Sequence, residues 1–388
     1  MLRHLDGWDL VDQPGFYLKY SRSTSFEQSL VLPGRDGFGQ SFFLFNTAFG
    51  EANYVKILDA QPTWIWGMDF KLHTTSSQGY VRSEWFRWGT VNGTLFSLRM
   101  RTDGKMEFLR GSGESSPVIA VTPSAIPFET WINLQMKLAI GEHGGYSLLA
   151  DGVELIGDHN INLGTANPDR LTHRWQNFGN SGINLDNYWI CDGQGSRLND
   201  FLGACRVTAH YPLTVFGASN WAQNAGALVD SVADRSVSYP DGDATYIEPP
   251  GASSLQLFTM TAPACFGLVL AAALNVCARP EAPSQSLDVM VKTKTLLSAI
   301  ASAVPLVDVG GALEPGVPLL SGYQVYQAIA ALSYETGFAW SDAELASAGW
   351  GVRSTDRVGV RVTQLILEKL TSLDPSNKFN CGPGNYSY

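Results

Sequence analysis

The residues best suited to ligand chemistry lie in Glu84-Trp85-Phe86-Arg87-Trp88-Gly89-Thr90-Val91-Asn92-Gly93-Thr94. Aromatic rings can stack on the flat faces of sugars, and amides hydrogen-bond their hydroxyls, so Trp85, Trp88 and Asn92 are the candidate glycan contacts. Side chains alternate along a regular strand, so Trp85 and Trp88 fall on opposite faces and at least one ring belongs to the core. Hydrolysis of a glycosidic bond needs two carboxylates flanking one sugar ring. Glu51 and Asp69 stand alone in the sequence, Glu84 leads into an aromatic strand, and Asp6 and Asp9 fall where a turn is expected. His4, His73, His143, His159, His173 and His210 show no metal-ligand spacing, and there is no Gly-x-Ser-x-Gly elbow or phosphate-cradling loop. No catalytic residue, metal or cofactor is assigned, and the chain reads as a protein that builds or binds.

The elements that must position these residues are β-strands. Thr63 to Leu72 alternates over its whole length, with Trp64, Trp66, Met68, Phe70 and Leu72 on one face. Gln40–Phe45, Tyr54–Leu58, Leu95–Arg101, Met106–Leu109, Trp131–Leu138 and Tyr146–Ala150 read the same way, and Asp103-Gly104 and Asp151-Gly152 mark turns. Asn187 to Tyr211 reads as a strand, the polar turn Asp192-Gly193-Gln194-Gly195, and a second strand ending the first domain. Regularly spaced strands with polar turns predict two packed antiparallel sheets over residues 1–211. Residues 212–253 are loop-like and read as an irregular linker lying on a surface or a neighbouring subunit. Residues 254–388 read as a smaller β-rich domain with an extended tail. Ser341 with Glu344 three residues on predicts a helix start, and Val358–Leu370 is a strand or a helix.

Composition bounds the function. With 388 residues, 45% hydrophobic and 16% charged, the chain suits two or three domains whose surfaces are sparse in charge. A net charge of −10 argues against binding nucleic acid, which needs a basic field. The amino terminus has no apolar signal-peptide core. Leu257–Ala278 carries no charge and is long enough to span a bilayer, but Pro263 and Gly267 interrupt it. It reads as a pair of buried strands, with a buried helix around Leu268–Leu274 as the alternative. The five cysteines form no Cys-x-x-Cys pair and read as reduced apolar residues, while a Cys191–Cys205 disulfide stays open.

Two groups of residues resemble a known architecture. Thr130–Lys137, Gly144–Leu148 and Asp151-Gly152 resemble a strand pair of laminin-G and concanavalin A-like jelly rolls. Leu5-Asp6-Gly7-Trp8-Asp9, Pro33-Gly34-Arg35-Asp36-Gly37 and Asn187–Val207 resemble, in that order, lectin-like domains of tailed-bacteriophage virion proteins, and Tyr334–Ser341 through Gly351-Val352 resembles a stretch that follows them. The resemblance implies an all-β chain: a concanavalin A-like jelly-roll sandwich, a linker and a smaller β-rich assembly domain. It implies a structural virion component of the tail, neck or head, assembled in the host cytoplasm. Its partners would be other virion proteins, further copies of itself (a trimer is common in such appendages) and a host-surface glycan, with no nucleic acid and no membrane span. The alternatives are a carbohydrate-binding adhesin and, least favoured, a polysaccharide-degrading glycoside hydrolase, for which the Glu-x-Asp-x-x-Glu strand pattern is missing. Laminin-G domains bind calcium through loop oxygens, so Asp186, Asp192, Asn199 and Asp200 are candidate ligands, with turn capping as the favoured role.

Overall fold

The computed structural model describes residues 1–7, 21–22, 28–37, 40–46, 50–74, 83–177, 181–233, 243–251, 254–261, 267–281, 287–292, 304–308, 323–331, 339–354 and 360–373. Asp9, the side chain of Glu51, the segment 334–338 and the tail 377–388 lie outside them. The chain is all-β and divides into two compact units, Met1–Ala204 and Cys205–Tyr388.

The first unit contains β1 (Leu2–Asp6), β2 (Ser21–Arg22), β3 (Gln28–Pro33), β4 (Gln40–Asn46), β5 (Gly50–Ile57), β6 (Thr63–Thr74), β7 (Ser83–Thr90) and β8 (Gly93–Met100). It continues with β9 (Met106–Arg110), β10 (Val118–Val121), β11 (Trp131–Ala139), β12 (Gly144–Ala150), β13 (Val153–Ile161), β14 (Arg170–Asn177) and β15 (Ser181–Asp192). An eight-stranded antiparallel sheet runs β13-β12-β11-β6-β15-β4-β3, with β1 also on β15, and a seven-stranded sheet runs β10-β9-β8-β7-β14-β5-β2. Their inner faces form one core. Trp66 of the first sheet stacks on Phe86 of the second with ring centroids 3.9 Å apart, and Phe70 meets Trp85 edge-on at 5.1 Å. The alternation of β6 dictates this: Trp64, Trp66, Met68, Phe70 and Leu72 fill the core, and Asp69, Lys71 and His73 face outward. At the Asp151-Gly152 turn both residues have positive φ (48° and 80°), the backbone a two-residue hairpin turn requires.

The second unit contains β16 (Cys205–His210), β17 (Pro212–Val215), β18 (Ala222–Gln223), a short helix α1 (Asp230–Ala233), β19 (Ile247–Glu248), β20 (Leu255–Met260), β21 (Leu268–Pro280), β22 (Leu287–Lys292), β23 (Val304–Asp308), β24 (Gln324–Ala330), helix α2 (Asp342–Ser347), β25 (Gly349–Ser354) and β26 (Val360–Ser372). A six-stranded and a five-stranded sheet enclose a second core built on Phe258, Leu274, Val289, Trp350 and Leu367. Helix α2 starts with the expected capping box: Glu344 N–H donates to Ser341 Oγ, and Ser341 N–H donates back to the Glu344 carboxylate.

Several boundaries differ from the sequence reading. The proposed hairpin Asn187–Tyr211 does not form: β15 pairs with β1, β4 and β6, whereas β16 pairs with β26. The first unit therefore ends near residue 204, not 211. The described residues of 212–253 are not all irregular, since β17 pairs with β20 and β19 joins β26. Both strands expected in 257–278 exist, but they enter different sheets and never pair. Val360–Ser372 is a strand. The common reason is that strand type is a local property, while the choice of partner is made by residues far along the chain.

Candidate functional site

The outer face of the eight-stranded sheet carries a row of four residues directly opposite one another on adjacent strands. Trp131 on β11 pairs with Lys71 on β6, Lys71 with Asn184 on β15, and Asn184 with Phe43 on β4. Directly opposed residues share a face, and their chain neighbours Ile132, Phe70, Leu185 and Phe42 point into the core. Trp131, Lys71 and Phe43 are half-buried, so two aromatic surfaces, an ammonium and an amide lie in line on this face.

The row is braced on both sides. The His73 ring meets Phe43 edge-on at 5.3 Å. His73 Nδ1 lies 2.9 Å from a Glu129 carboxylate oxygen, and Lys71 Nζ lies 3.3 Å from the same oxygen. His73 Nε2 bonds Asn184 Oδ1, Asn184 Nδ2 donates to Ser41 Oγ at 2.6 Å, and Ser41 Oγ donates to the Pro33 carbonyl at 3.1 Å. On the other side Asp69 is fully buried and opposite Asp186. Arg35 donates its side chain to Asp69 (2.6 Å) and its backbone N–H to Asp186 (2.7 Å), which fixes the Gly34–Gly37 turn over the sheet. Asn133 and Asn187 donate to the two oxygens of Asp69 at 2.8 and 2.7 Å. Asn187 reaches in because β15 bulges between Asp186 and Trp189, with Asn187 at φ 53°. Burial pushes the Asp69 carboxyl above its ordinary range, against the pull of Arg35 and the two amides.

Asp69 is thus not alone, as its place in the sequence suggested; it has a facing acidic partner. Both carboxylates are buried and engaged, so neither presents a free oxygen to a sugar. Their geometry holds the face in place.

The glycan candidates read from the sequence do not assemble. Trp88 is fully buried against Trp66 and Phe108, and Trp85 packs on Phe70. A register shift between Glu84 and Phe86 breaks the alternation that would have placed the two tryptophans on opposite faces. Asn92 is exposed in the turn after β7, where its backbone N–H donates to Thr90 Oγ1 at 3.1 Å. Glu84 accepts from Arg87, Arg174 (2.7 Å) and the Gly113 N–H (2.7 Å). Burial alone would raise its pKa, but these donors outweigh it and hold the carboxyl below the usual range.

The candidate calcium ligands also serve separate tasks. Asp192 pairs with Arg3 and the Met1 ammonium, Asn199 donates to the Gly195 carbonyl, Asp200 pairs with Lys137 at 2.9 Å, and Asp186 belongs to the Arg35 cluster. Among the described residues no three His, Cys, Asp or Glu side chains are grouped as a metal site requires. Cys191 and Cys205 are both buried and are not joined to each other by a disulfide, and burial pushes the Cys191 thiol far up. No helix among the described residues is long and apolar enough to cross a membrane. A cavity of about 20 Å³ inside the sandwich, lined by Tyr54, Met68, Trp85, Phe86, His173 and Ile183 among others, has room for about one water and none for a sugar.

No protein family pattern matches the chain, and no curated protein sequence does. Among solved structures the chain is similar to an endo-β-1,4-glucuronan lyase from the fungus Trichoderma reesei. That match has 8% identity and a TM-score of 0.36, and covers 45% of this chain and 92% of that one. It is also similar to Cip1, a cellulose induced protein, at 10% identity and TM-score 0.36 over 49% of this chain and 97% of that one. A sialidase matches at 11% identity and TM-score 0.31 over 39% of this chain; the match spans only 15% of the sialidase. Identities and TM-scores of this size assign neither substrate nor activity to this chain.

Proposed function

We propose that the first unit is a carbohydrate-binding β-sandwich that takes a glycan across the outer face of its eight-stranded sheet. The observation that carries this reading is the in-register row Trp131–Lys71–Asn184–Phe43. Its ends lie three strand spacings apart, roughly 14 Å, which suits a short oligosaccharide. The half-buried rings offer apolar surface to sugar faces, and Lys71 offers donors to oxygens between them. The network of Asp69, Asn133, Asn187 and Arg35 holds the row in place from beneath. The facing carboxylates beneath the row, Asp69 and Asp186, are buried and engaged, and in this reading they support the face and leave contact with the sugar to the row. The virion role expected above rests on the sequence resemblance alone.

The test is a glycan array with the whole chain, followed by titration of the best ligand against Trp131→Ala and Phe43→Ala. Each truncation is expected to weaken binding about tenfold, near 1.4 kcal/mol, with the circular dichroism spectrum unchanged. A wild-type chain that binds no glycan, or binding untouched by both truncations, would refute the proposal.

A further inference from the structure

We infer that the glycan is acidic, and that a sugar carboxylate takes the place now held by Glu129 on Lys71 and His73; the inference rests on the glycan-binding reading. It starts from one exposed carboxylate. A single oxygen of Glu129 lies 2.9 Å from His73 Nδ1 and 3.3 Å from Lys71 Nζ. The other ring nitrogen of His73 bonds Asn184 Oδ1, and Asn184 Nδ2 donates to Ser41 Oγ at 2.6 Å, so the ring is held in place from the side away from Glu129.

The Lys71 ammonium and the His73 ring therefore sit side by side on the platform, at 26% and 21% side-chain exposure. The other nearby cation, Arg35, is taken up by Asp69. The Glu129 side chain that meets them both is 48% exposed. Glu129 is also one of four non-glycine residues with positive φ (57°) among those described, a conformation a side-chain-bearing residue adopts at a cost. A surface carboxylate held this way meets Lys71 and His73 at no gain of burial, so a ligand carboxylate can replace it with the same charge and the same contacts. A phosphate or sulfate has the wrong setting here: Glu129 is met by one ammonium and one imidazole, not by a fork of guanidinium or a nest of backbone N–H groups. The flanking rings of Phe43 and Trp131 fit a sugar ring attached to the carboxylate.

The experiment is calorimetric titration of the whole chain with oligogalacturonate and, separately, with a neutral cello-oligosaccharide of equal length, for wild type, Glu129→Gln and Lys71→Met. Wild type should bind the acidic ligand more tightly, and the affinity should fall with added salt. Glu129→Gln should raise acidic affinity about two- to fivefold, the size of one exposed ion pair, and leave neutral affinity unchanged. Lys71→Met should lower acidic affinity by about as much or more. A preference for the neutral ligand, or acidic binding unmoved by both substitutions, overturns the inference and leaves glycan binding intact. Binding of neither ligand, together with an empty glycan array, sinks the glycan reading itself. Thermal melts confirm that each variant is folded, and Lys71→Met carries the test if Glu129→Gln does not fold.

Discussion

The two outer faces of the first sandwich use charge in opposite ways. On the seven-stranded sheet, Arg99 is almost fully buried and donates to Glu107, while Glu84 gathers Arg87, Arg174 and the Gly113 N–H. Arg99 also reaches the Gly113 carbonyl at 3.0 Å, so one loop closes over two matched clusters. On the eight-stranded sheet the buried carboxylates are matched too, but the row beside them leaves two aromatic rings and Lys71 half-buried. The first face completes itself. The second is complete only beneath its surface, with one exposed glutamate standing on Lys71 and His73. A face that pairs all its charges within the fold is framework; a rigid face that leaves rings and donors at the surface is where a ligand can add something.

The largest effects should separate framework from face. Asp69→Ala strands two buried amides and the Arg35 guanidinium, and Arg99→Ala takes the buried donors from Glu107 and leaves it the partly exposed Arg101; each should lose about 3–5 kcal/mol in urea unfolding. Of the two, only Asp69→Ala should also abolish glycan binding in the protein that remains folded. Equal losses of binding from both would erase the contrast between the faces.

Acid should weaken the framework next. Burial lowers His173 to about 3, and burial lowers His210 in the second unit to about 4, against an ordinary 6.5. Both are neutral when folded and take up a proton when unfolded below 6.5. Their contribution is therefore full above pH 6.5 and is lost progressively as pH falls toward those lowered values. From pH 6.5 to 5 each should remove about 2 kcal/mol. His173 sits between the rings of Phe86 and Tyr188, and its Nε2 has no partner among the described residues. His173→Phe should flatten the acid limb of the stability profile by about one histidine's worth, measured by denaturant titration at several pH values. An unchanged limb would place the proton uptake elsewhere.

Gly67→Ala should cost about 1–3 kcal/mol, because a Cβ there overlaps the Trp189 indole packed across the outer face. A shift in melting temperature reports it, and glycan affinity should fall only if Trp189 moves the neighbouring Asn187. The smallest stability effects belong to the surface. Lys71→Met and Arg101→Ala should each stay within about 1 kcal/mol of wild type, since both ion pairs are partly exposed. Lys71→Met alone should change glycan binding, which isolates the face from the framework at nearly constant stability.

Much of this architecture is legible in the order of residues. The alternation of Thr63–Leu72 and Trp131–Leu138 fixes which side chains are inside, because a pleated strand sends successive residues to opposite faces. Asp151-Gly152 specifies its turn, and Ser341 with Glu344 specifies a helix start, because backbone conformation and local donors decide both within four residues. Tertiary structure alone decided the rest. Trp131, Lys71, Asn184 and Phe43 lie up to 141 residues apart in sequence, and only the pairing of four strands brings them into one row. The placing of both Trp85 and Trp88 in the core, and the turn of Asn187 toward Asp69, come from irregularities of register that alternation cannot encode. The second strand of the expected closing hairpin left for another sheet for the same reason. A strand's pattern says which way its side chains point, but which strand lies beside it is settled by the burial and hydrogen bonding of the whole fold.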